Sequence, residues 1–316
     1  MLKRPLGNTG LNIAPLVFGG NVFGWTIDEK TSFAVLDAFV DHGFNAIDTA
    51  DVYSAWVPGN AGGESETIIG RWFKQRPGMR DKVTLFTKVG SPMGSMTKRE
   101  LSKRWILKAV EDSLSRLQTE HIDLYFSHWP DPETSHEETL SAYAELRSAG
   151  KINAIGASNY DARLLKAALE AAKVNNLPAY QVIQPEYNLY DRSGFKGKLQ
   201  DLCTNENIGV VTYYSLASGF LSGKYRSEAD LDSSKRGNGV GKYLNDKGFK
   251  VLAALDSVAA DHGAKPAEVA LAWLIASPCV TAPIASATSV EQVESFANAA
   301  SLKLTAEQFK TLTDAH

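Results

Sequence analysis

The chain has 316 residues, 44% of them hydrophobic and 22% charged, with 33 basic side chains against 36 acidic ones. These proportions belong to a soluble globular protein with a sizeable apolar core, and they argue against disorder, a nucleic-acid surface or a polybasic membrane surface. Two cysteines, Cys203 and Cys279, lack metal-ligand spacing and fit a reducing cytoplasm without a disulfide framework, and no apolar run reaches the ~20 residues of a membrane span. The opening MLKRPLGNTGLNIAPLVFGG is broken by proline and glycine before a signal-peptide core forms. A small-molecule partner is therefore the default expectation, and no oligomeric state is specified.

In chain order, short β-rich runs alternate with longer helical patterns. The expected strands are LVFGG (16–20), NAID (45–48), VTLFTK (83–88), IDLYFSH (122–128), INAIGAS (152–158), QVIQPEY (181–187), IGVVTYY (208–214) and VTAPIAS (280–286). Between them, EKTSFAVLDAFVDHG repeats apolar residues at three- and four-residue spacing, and SKRWILKAVEDSLSRLQ does so behind Ser102, a good N-cap. Eight such alternations predict a single-domain (β/α)8 barrel over residues 1–316. A doubly wound sheet is the rival, but the turn after its first strand would carry GxGxxG, whereas this one reads FGGNVFGW. Two segments, 55–63 and 222–248, exceed ordinary loop length and read as lids, binding loops or flexible surface. The GNGVGK within the second lacks P-loop spacing.

In such a barrel, chemistry sits at the carboxyl ends of the strands. The second strand ends GFNAIDTADVYSA, which places two acids and a tyrosine at its mouth; buried acids need partners. The next two ends supply them. Lys88 closes the third strand and His128 the fourth, so that Asp48, Tyr53, Lys88 and His128 are expected to share one rim. Ser158, Asn159, Gln184, Tyr213 and Ser286 follow at later strand ends. Asp51 reads as a loop acid, and His42, His121 and His262 as helix-end or turn residues. A lysine beside a phenol is expected to lower the phenol's pKa, an aspartate keeps that lysine charged, and an imidazole can hydrogen-bond an oxygen placed beside the phenol. Such a group protonates a developing alkoxide, which forms when hydride adds to a carbonyl; the hydride donor must be borrowed. Trp25, Trp56, Val57 and Trp129 lie on loops at the same mouth and suggest an aromatic-lined substrate pocket.

In the contexts DTADVY, FTKVG and SHWPD, these residues resemble the Asp, Tyr, Lys and His tetrad of the aldo-keto reductases, and the resemblance extends over essentially the whole chain. It implies that Tyr53 is the general acid, that Lys88 and Asp48 tune it, and that His128 orients the carbonyl. It also implies NADPH as cofactor, with NADH as the second possibility, bound extended without a Rossmann domain. Ser158 and Asn159 in GASNY and Gln184 in IQPEYN resemble the nicotinamide carboxamide contacts, and Tyr213 the stacking tyrosine. The following SLASGFLSGK resembles the pyrophosphate loop, implicating Ser215, Leu216, Ser218, Gly219 and Lys224. Near Ser286 and Thr288 the family commonly has Arg or Lys for the 2′-phosphate; here Ser286, Thr288, Ser289 and Gln292 offer only hydroxyls and amides. The implied activity is reduction of an aldehyde or ketone, or oxidation of the matching alcohol. Two other readings stand beside it: a Schiff-base aldolase working through Lys88, and a non-catalytic, cofactor-binding barrel of the potassium-channel β-subunit kind.

Overall fold

A computed structural model describes residues 1–94, 96–233 and 237–315. Two short strands, β1 (Arg4–Pro5) and β2 (Asn12–Ile13), pair antiparallel ahead of the main sheet. The sheet itself consists of β3 (Val17–Gly19), β4 (Ala46–Asp48), β5 (Thr84–Val89), β6 (Ile122–Ser127), β7 (Ile152–Ser158), β8 (Val182–Gln184), β9 (Gly209–Thr212) and β10 (Ala282–Ala285). They close in the order β10-β3-β4-β5-β6-β7-β8-β9, every neighbouring pair parallel. Each strand lies on its expected run, β5 continuing one residue further to Val89. The result is the eight-stranded barrel with surrounding helices that the alternation predicts.

The barrel interior explains how the mouth is furnished. Val17, Ala46, Phe86, Leu124, Phe126, Ala154, Val182, Val211, Ala282 and Ile284 form one buried cluster inside the ring. Strand side chains alternate with period two. One step of two past Ala46, Phe86, Phe126, Val182, Val211 and Ile284 come Asp48, Lys88, His128, Gln184, Tyr213 and Ser286, so the polar residues at the strand ends continue the inward apolar rows. The opposite end is plugged by the β1–β2 hairpin, whose Leu6 and Ile13 join the same cluster.

Outside the ring lie α1 (Glu29–Asp41), α2 (Glu64–Gln75), α3 (Lys103–Leu117), α4 (His136–Ser148), α5 (Ala162–Val174), α6 (Lys198–Asn205), α7 (Asp246–His262), α8 (Pro266–Ala276), α9 (Val290–Ser301) and α10 (Ala306–Asp314). Ser102 caps α3 as its position suggests, accepting from the Trp105 amide at 3.3 Å. Phe39, Trp72, Leu117, Tyr143 and Leu274 fill the layer between helices and strands. No described helix is long and apolar enough to cross a membrane. Both cysteines are free, and burial pushes the Cys203 thiol up to about 12.

The described parts of the 222–248 segment, read in sequence as a lid, a binding loop or flexible surface, pack against the body at several points. They are anchored by the buried side chains of Tyr225, Val240 and Tyr243, the last stacked on Phe220 at 5.2 Å. Arg226 grips Asp256 on α7 with two hydrogen bonds of 2.8 Å. Apolar residues spaced along a polar segment were enough to tie it down; residues 234–236 lie outside the described ones.

Gly156, in the middle of β7, makes room for a core ring: a Cβ there would fall 2.4 Å from the Phe126 ring. Gly156→Ala should therefore destabilise the barrel by about 1–3 kcal/mol, as overpacking does. Urea unfolding checks this, and an unchanged midpoint would contradict it.

Candidate active site

The site begins with a charge that cannot be left alone. Lys88 extends from β5 into the barrel and is wholly buried, a position that a lysine tolerates only when paired. Its ammonium donates to Asp48 Oδ2 at 2.6 Å, to the Thr49 carbonyl at 2.8 Å and to the Tyr53 hydroxyl at 2.8 Å, one acceptor for each proton. Burial lowers the Lys88 pKa while the Asp48 carboxylate opposes that drop. The second oxygen of Asp48 accepts from Gln184 Nε2 at 3.0 Å. Barrel register makes these meetings possible: Asp48 pairs across to Phe86, two residues before Lys88.

Tyr53 is delivered by the turn after β4. Thr49 N bonds the Phe86 carbonyl at 2.9 Å and Asp51 N the Lys88 carbonyl at 3.2 Å, so the turn is laced along β5. Ser54, with φ of 73°, reverses the chain and its hydroxyl donates to the Phe23 carbonyl at 2.6 Å. The phenol thus folds back over Lys88, whose Nζ lies 4.6 Å from the ring centroid. Its own proton is only loosely held, toward Asp48 Oδ2 at 3.4 Å.

Here one expectation is overturned. Tyr53 was expected to have a pKa lowered by Lys88; instead burial, then the neighbouring Asp48, hold it well above the ordinary phenol value. The lysine's field is spent on Asp48, and desolvation of a phenolate outweighs what remains. The hydroxyl therefore keeps its proton at neutral pH. His128 behaves in the complementary way: burial, then Lys88 and Arg99, keep its imidazole neutral by pushing its pKa well below the usual value. Its ring centroid is 6.1 Å from that of Tyr53, and its Nδ1 is buried with no hydrogen-bond partner among the described residues. That leaves Nε2 to meet an oxygen at the mouth.

The residues that the resemblance assigns to a nicotinamide form a connected set on the next strands. The Ser158 hydroxyl donates to the Gln184 carbonyl at 2.9 Å, Asn159 Nδ2 donates to the His128 carbonyl at 2.9 Å, and the Tyr213 hydroxyl donates to Asn159 Oδ1 at 2.7 Å. Asn159 takes a left-handed φ of 63°, which suits asparagine and turns its amide toward Tyr213. Beyond β9, Ala217, Ser218 and Gly219 all adopt positive φ, and Lys224 Nζ arches over Gly219, 3.7 Å from where a Cβ would stand. Among the described residues no carboxylate pairs with Lys224. A tight backbone loop under a lone ammonium fits a phosphate group. Ser215 fits less well: its buried hydroxyl donates to the Ile284 carbonyl at 2.7 Å, tying β9's end to β10, and Leu216 packs against the core.

The segment after β10 is internally engaged. Ser286 donates to Asn21 Oδ1 at 2.6 Å, and Gln292 Oε1 accepts from the Thr288 amide at 2.8 Å and from its hydroxyl at 3.3 Å. Ser289 occupies the N-cap position of α9 without a side-chain cap bond. Three of the aromatic residues expected near the mouth touch one another or the proton-transfer group. Trp25 meets Trp56 edge-on at 5.4 Å, Trp56 meets Tyr53 at 6.2 Å, and Trp129 stacks on His128 at 6.2 Å. Val57 follows on the same turn, half-buried, its amide bonded to the Ser54 carbonyl at 3.1 Å.

Comparison with known proteins bears directly on this arrangement. The family model for the aldo/keto reductase family matches residues 15–316. The chain belongs to the aldo/keto reductase family. An uncharacterized oxidoreductase, YrpG of Bacillus subtilis, is 36% identical over 98% of this chain and 94% of its own. Protein tas of Escherichia coli is 30% identical over 100% of this chain and 98% of its own. A probable voltage-gated potassium channel subunit beta of Arabidopsis thaliana is 32% identical over 93% of this chain and 89% of its own. Family membership makes a general oxidoreductase role plain.

Asp51 is the clearest miss of the sequence reading. It is not a solvated loop acid but is 2% exposed, and neither carboxyl oxygen has a hydrogen-bond partner among the described residues. Behind it Glu66, wholly buried, accepts from Thr87 Oγ1 at 2.5 Å and from Arg116 Nε at 2.7 Å. Burial, then the charge of Glu66, raises the Asp51 pKa well above the carboxylate range despite Arg116. The Tyr125 hydroxyl, buried with no hydrogen-bond partner among the described residues, feels the same acid. The signal available in sequence was Glu66 itself, an acid on the apolar face of α2.

Two predictions follow from these pairings. Lys88→Met should strand Asp48 and cost about 3–5 kcal/mol, with Asp48→Asn in the same chain restoring part of it; a double-mutant cycle by denaturation reads the coupling, and additive losses would contradict it. Because Asp51 is protonated when folded and ionised when unfolded at neutral pH, its penalty is absent below about pH 4 and grows as pH rises toward its raised folded value. Asp51→Asn should thus raise Tm more at pH 7.5 than at pH 4.5, whereas equal shifts would refute the buried neutral acid.

Proposed function

We propose that the protein is an NADP(H)-dependent carbonyl reductase, acting on aldehydes or ketones or, in reverse, on the matching alcohols. The observation that carries this reading is the Tyr53 hydroxyl, 2.8 Å from Lys88 Nζ and loosely held toward Asp48 at the barrel mouth. A bound nicotinamide cofactor supplies the hydride. The chain's residues do the rest. Tyr53 gives its proton from Oη to the developing alkoxide, a stronger base than a phenolate even with the phenol's pKa raised. Lys88, held by Asp48, stabilises the phenolate left behind, and His128, neutral, donates from Nε2 to the same oxygen. Ser158, Asn159, Gln184 and Tyr213 would hold the nicotinamide end, and the 217–219 turn with Lys224 the phosphates. NADPH is the proposed partner and NADH the second candidate, since Ser286, Thr288, Ser289 and Gln292 bring no cation to a 2′-phosphate.

An aldolase using Lys88 as a Schiff-base amine is disfavoured by the geometry, because three acceptors engage that nitrogen and burial closes it to solvent. The channel-subunit relative keeps a non-catalytic, cofactor-binding barrel as the second reading. Tyr53→Phe separates the two. The variant should bind NADPH by fluorescence titration as the parent does, while its aldehyde reduction falls about 10²- to 10⁴-fold, the usual contribution of a general acid. Undiminished turnover would remove Tyr53 as the proton donor, and no turnover by the parent over a broad carbonyl panel would favour the binding barrel.

A further inference from the structure

One cation at the mouth is unaccounted for by the proton-transfer group. Arg99 lies on the segment joining β5 to α3, which is pinned by Glu100 N to the Gly90 carbonyl at 3.3 Å, by Leu101 N to Asp131 Oδ2 at 2.9 Å and by Thr139 Oγ1 to the Leu101 carbonyl at 3.0 Å. Two residues from that anchor, the Arg99 guanidinium sits 4.4 Å from the Trp129 ring centroid. Trp129 in turn stacks on His128, and His128 packs against Tyr53. The guanidinium, itself exposed, is thus linked through Trp129 and His128 to the Tyr53 ring.

Its chemistry is open. Stacking on an indole fixes the plane of a guanidinium but leaves its in-plane N–H fork available. Among the described residues Arg99 makes no ion pair or hydrogen bond with a carboxylate, although acids are near. Each of those acids is committed elsewhere: Asp131 to Leu101 N, Glu133 N and the Thr134 hydroxyl, Glu133 to Lys98, and Glu100 to the Ser102 hydroxyl. Arg99 is also close enough to disfavour protonation of His128. A planar fork stacked on an indole, with no acceptor among the described residues, is suited to a carboxylate on an incoming molecule.

The geometry points to Arg99 as a specificity-determining residue: the substrate is a carbonyl compound that carries a carboxylate away from its reacting carbon, bound with its body along Trp129 and its anionic end on the Arg99 fork. This inference rests on the carbonyl-reductase reading and adds the substrate class to it.

The experiment compares 4-carboxybenzaldehyde with benzaldehyde, and succinic semialdehyde with butanal, in the parent, Arg99→Gln and Arg99→Lys. The parent should prefer each carboxylated member. Arg99→Gln should lower kcat/KM for the carboxylated aldehydes roughly tenfold to a hundredfold more than for the neutral ones, mainly through KM, as expected for loss of a charge-assisted pair. Arg99→Lys, a charge without the fork, should fall between, and added salt should narrow the parent's preference. An anionic-to-neutral ratio that is the same in the parent and Arg99→Gln overturns the assignment. Tryptophan-fluorescence titration with terephthalate gives a readout free of turnover. Binding weakened by Arg99→Gln in a protein that reduces no aldehyde would uphold the anion site while rejecting the reductase reading, and binding indifferent to Arg99 would reject the site.

Discussion

A buried ammonium sets the terms for this site. Lys88 sits inside the barrel where water cannot solvate it, so its three protons must each find an oxygen, and the three available are those of Asp48, Thr49 and Tyr53. That requirement fixes the rotamer of Asp48, the course of the turn after β4 and the direction of the phenol together. Gln184, from the far side of the ring, completes the Asp48 carboxylate. The inner apolar layer, from Phe86 and Phe126 to Val182 and Val211, forms the floor that keeps this polar layer dry.

The balance of electrostatic terms at the mouth favours burial over charge. Desolvation raises Tyr53 in spite of the adjacent ammonium, and it lowers His128 in concert with Lys88 and Arg99. Both side chains therefore present themselves in neutral, proton-carrying forms. Asp51 extends the pattern one layer outward, a carboxyl kept protonated by burial and by Glu66. A site that holds its protons in this way gives up a proton only when a strong base forms beside it, which is the demand that a nascent alkoxide makes.

Much of this was legible in the sequence, for a definite reason. Parallel strands buried on both faces leave short apolar runs, and any polar residue that ends such a run has to lie at the barrel's rim; Asp48, Lys88, His128 and Gln184 stood out on that ground. Other features depend on distances that no spacing carries. The raised pKa of Tyr53 follows from desolvation of the phenol at the mouth and from Asp48 beside it, and the burial of Asp51 from the packing of α2 and α3 behind its turn. Ser215 was singled out by the resemblance of SLASGFLSGK to a pyrophosphate loop, and no spacing could show that its hydroxyl also ties the end of β9 to β10. In the 222–248 segment Gly, Ser and charge left lid, binding loop and flexible surface all open, and the buried side chains of Tyr225, Val240 and Tyr243 that hold its described parts to the body carry no spacing signal. Arg99 was overlooked because it reaches the mouth only through Trp129.

The central claim is that the barrel holds the Tyr53 phenol protonated against its neighbouring ammonium. The most direct test is a pH titration of the ¹³Cζ resonance of Tyr53 in protein labelled at tyrosine, assigned by comparison with Tyr53→Phe. The account predicts a protonated phenol through and beyond the ordinary value near pH ~10. Ionisation close to neutral pH would contradict it.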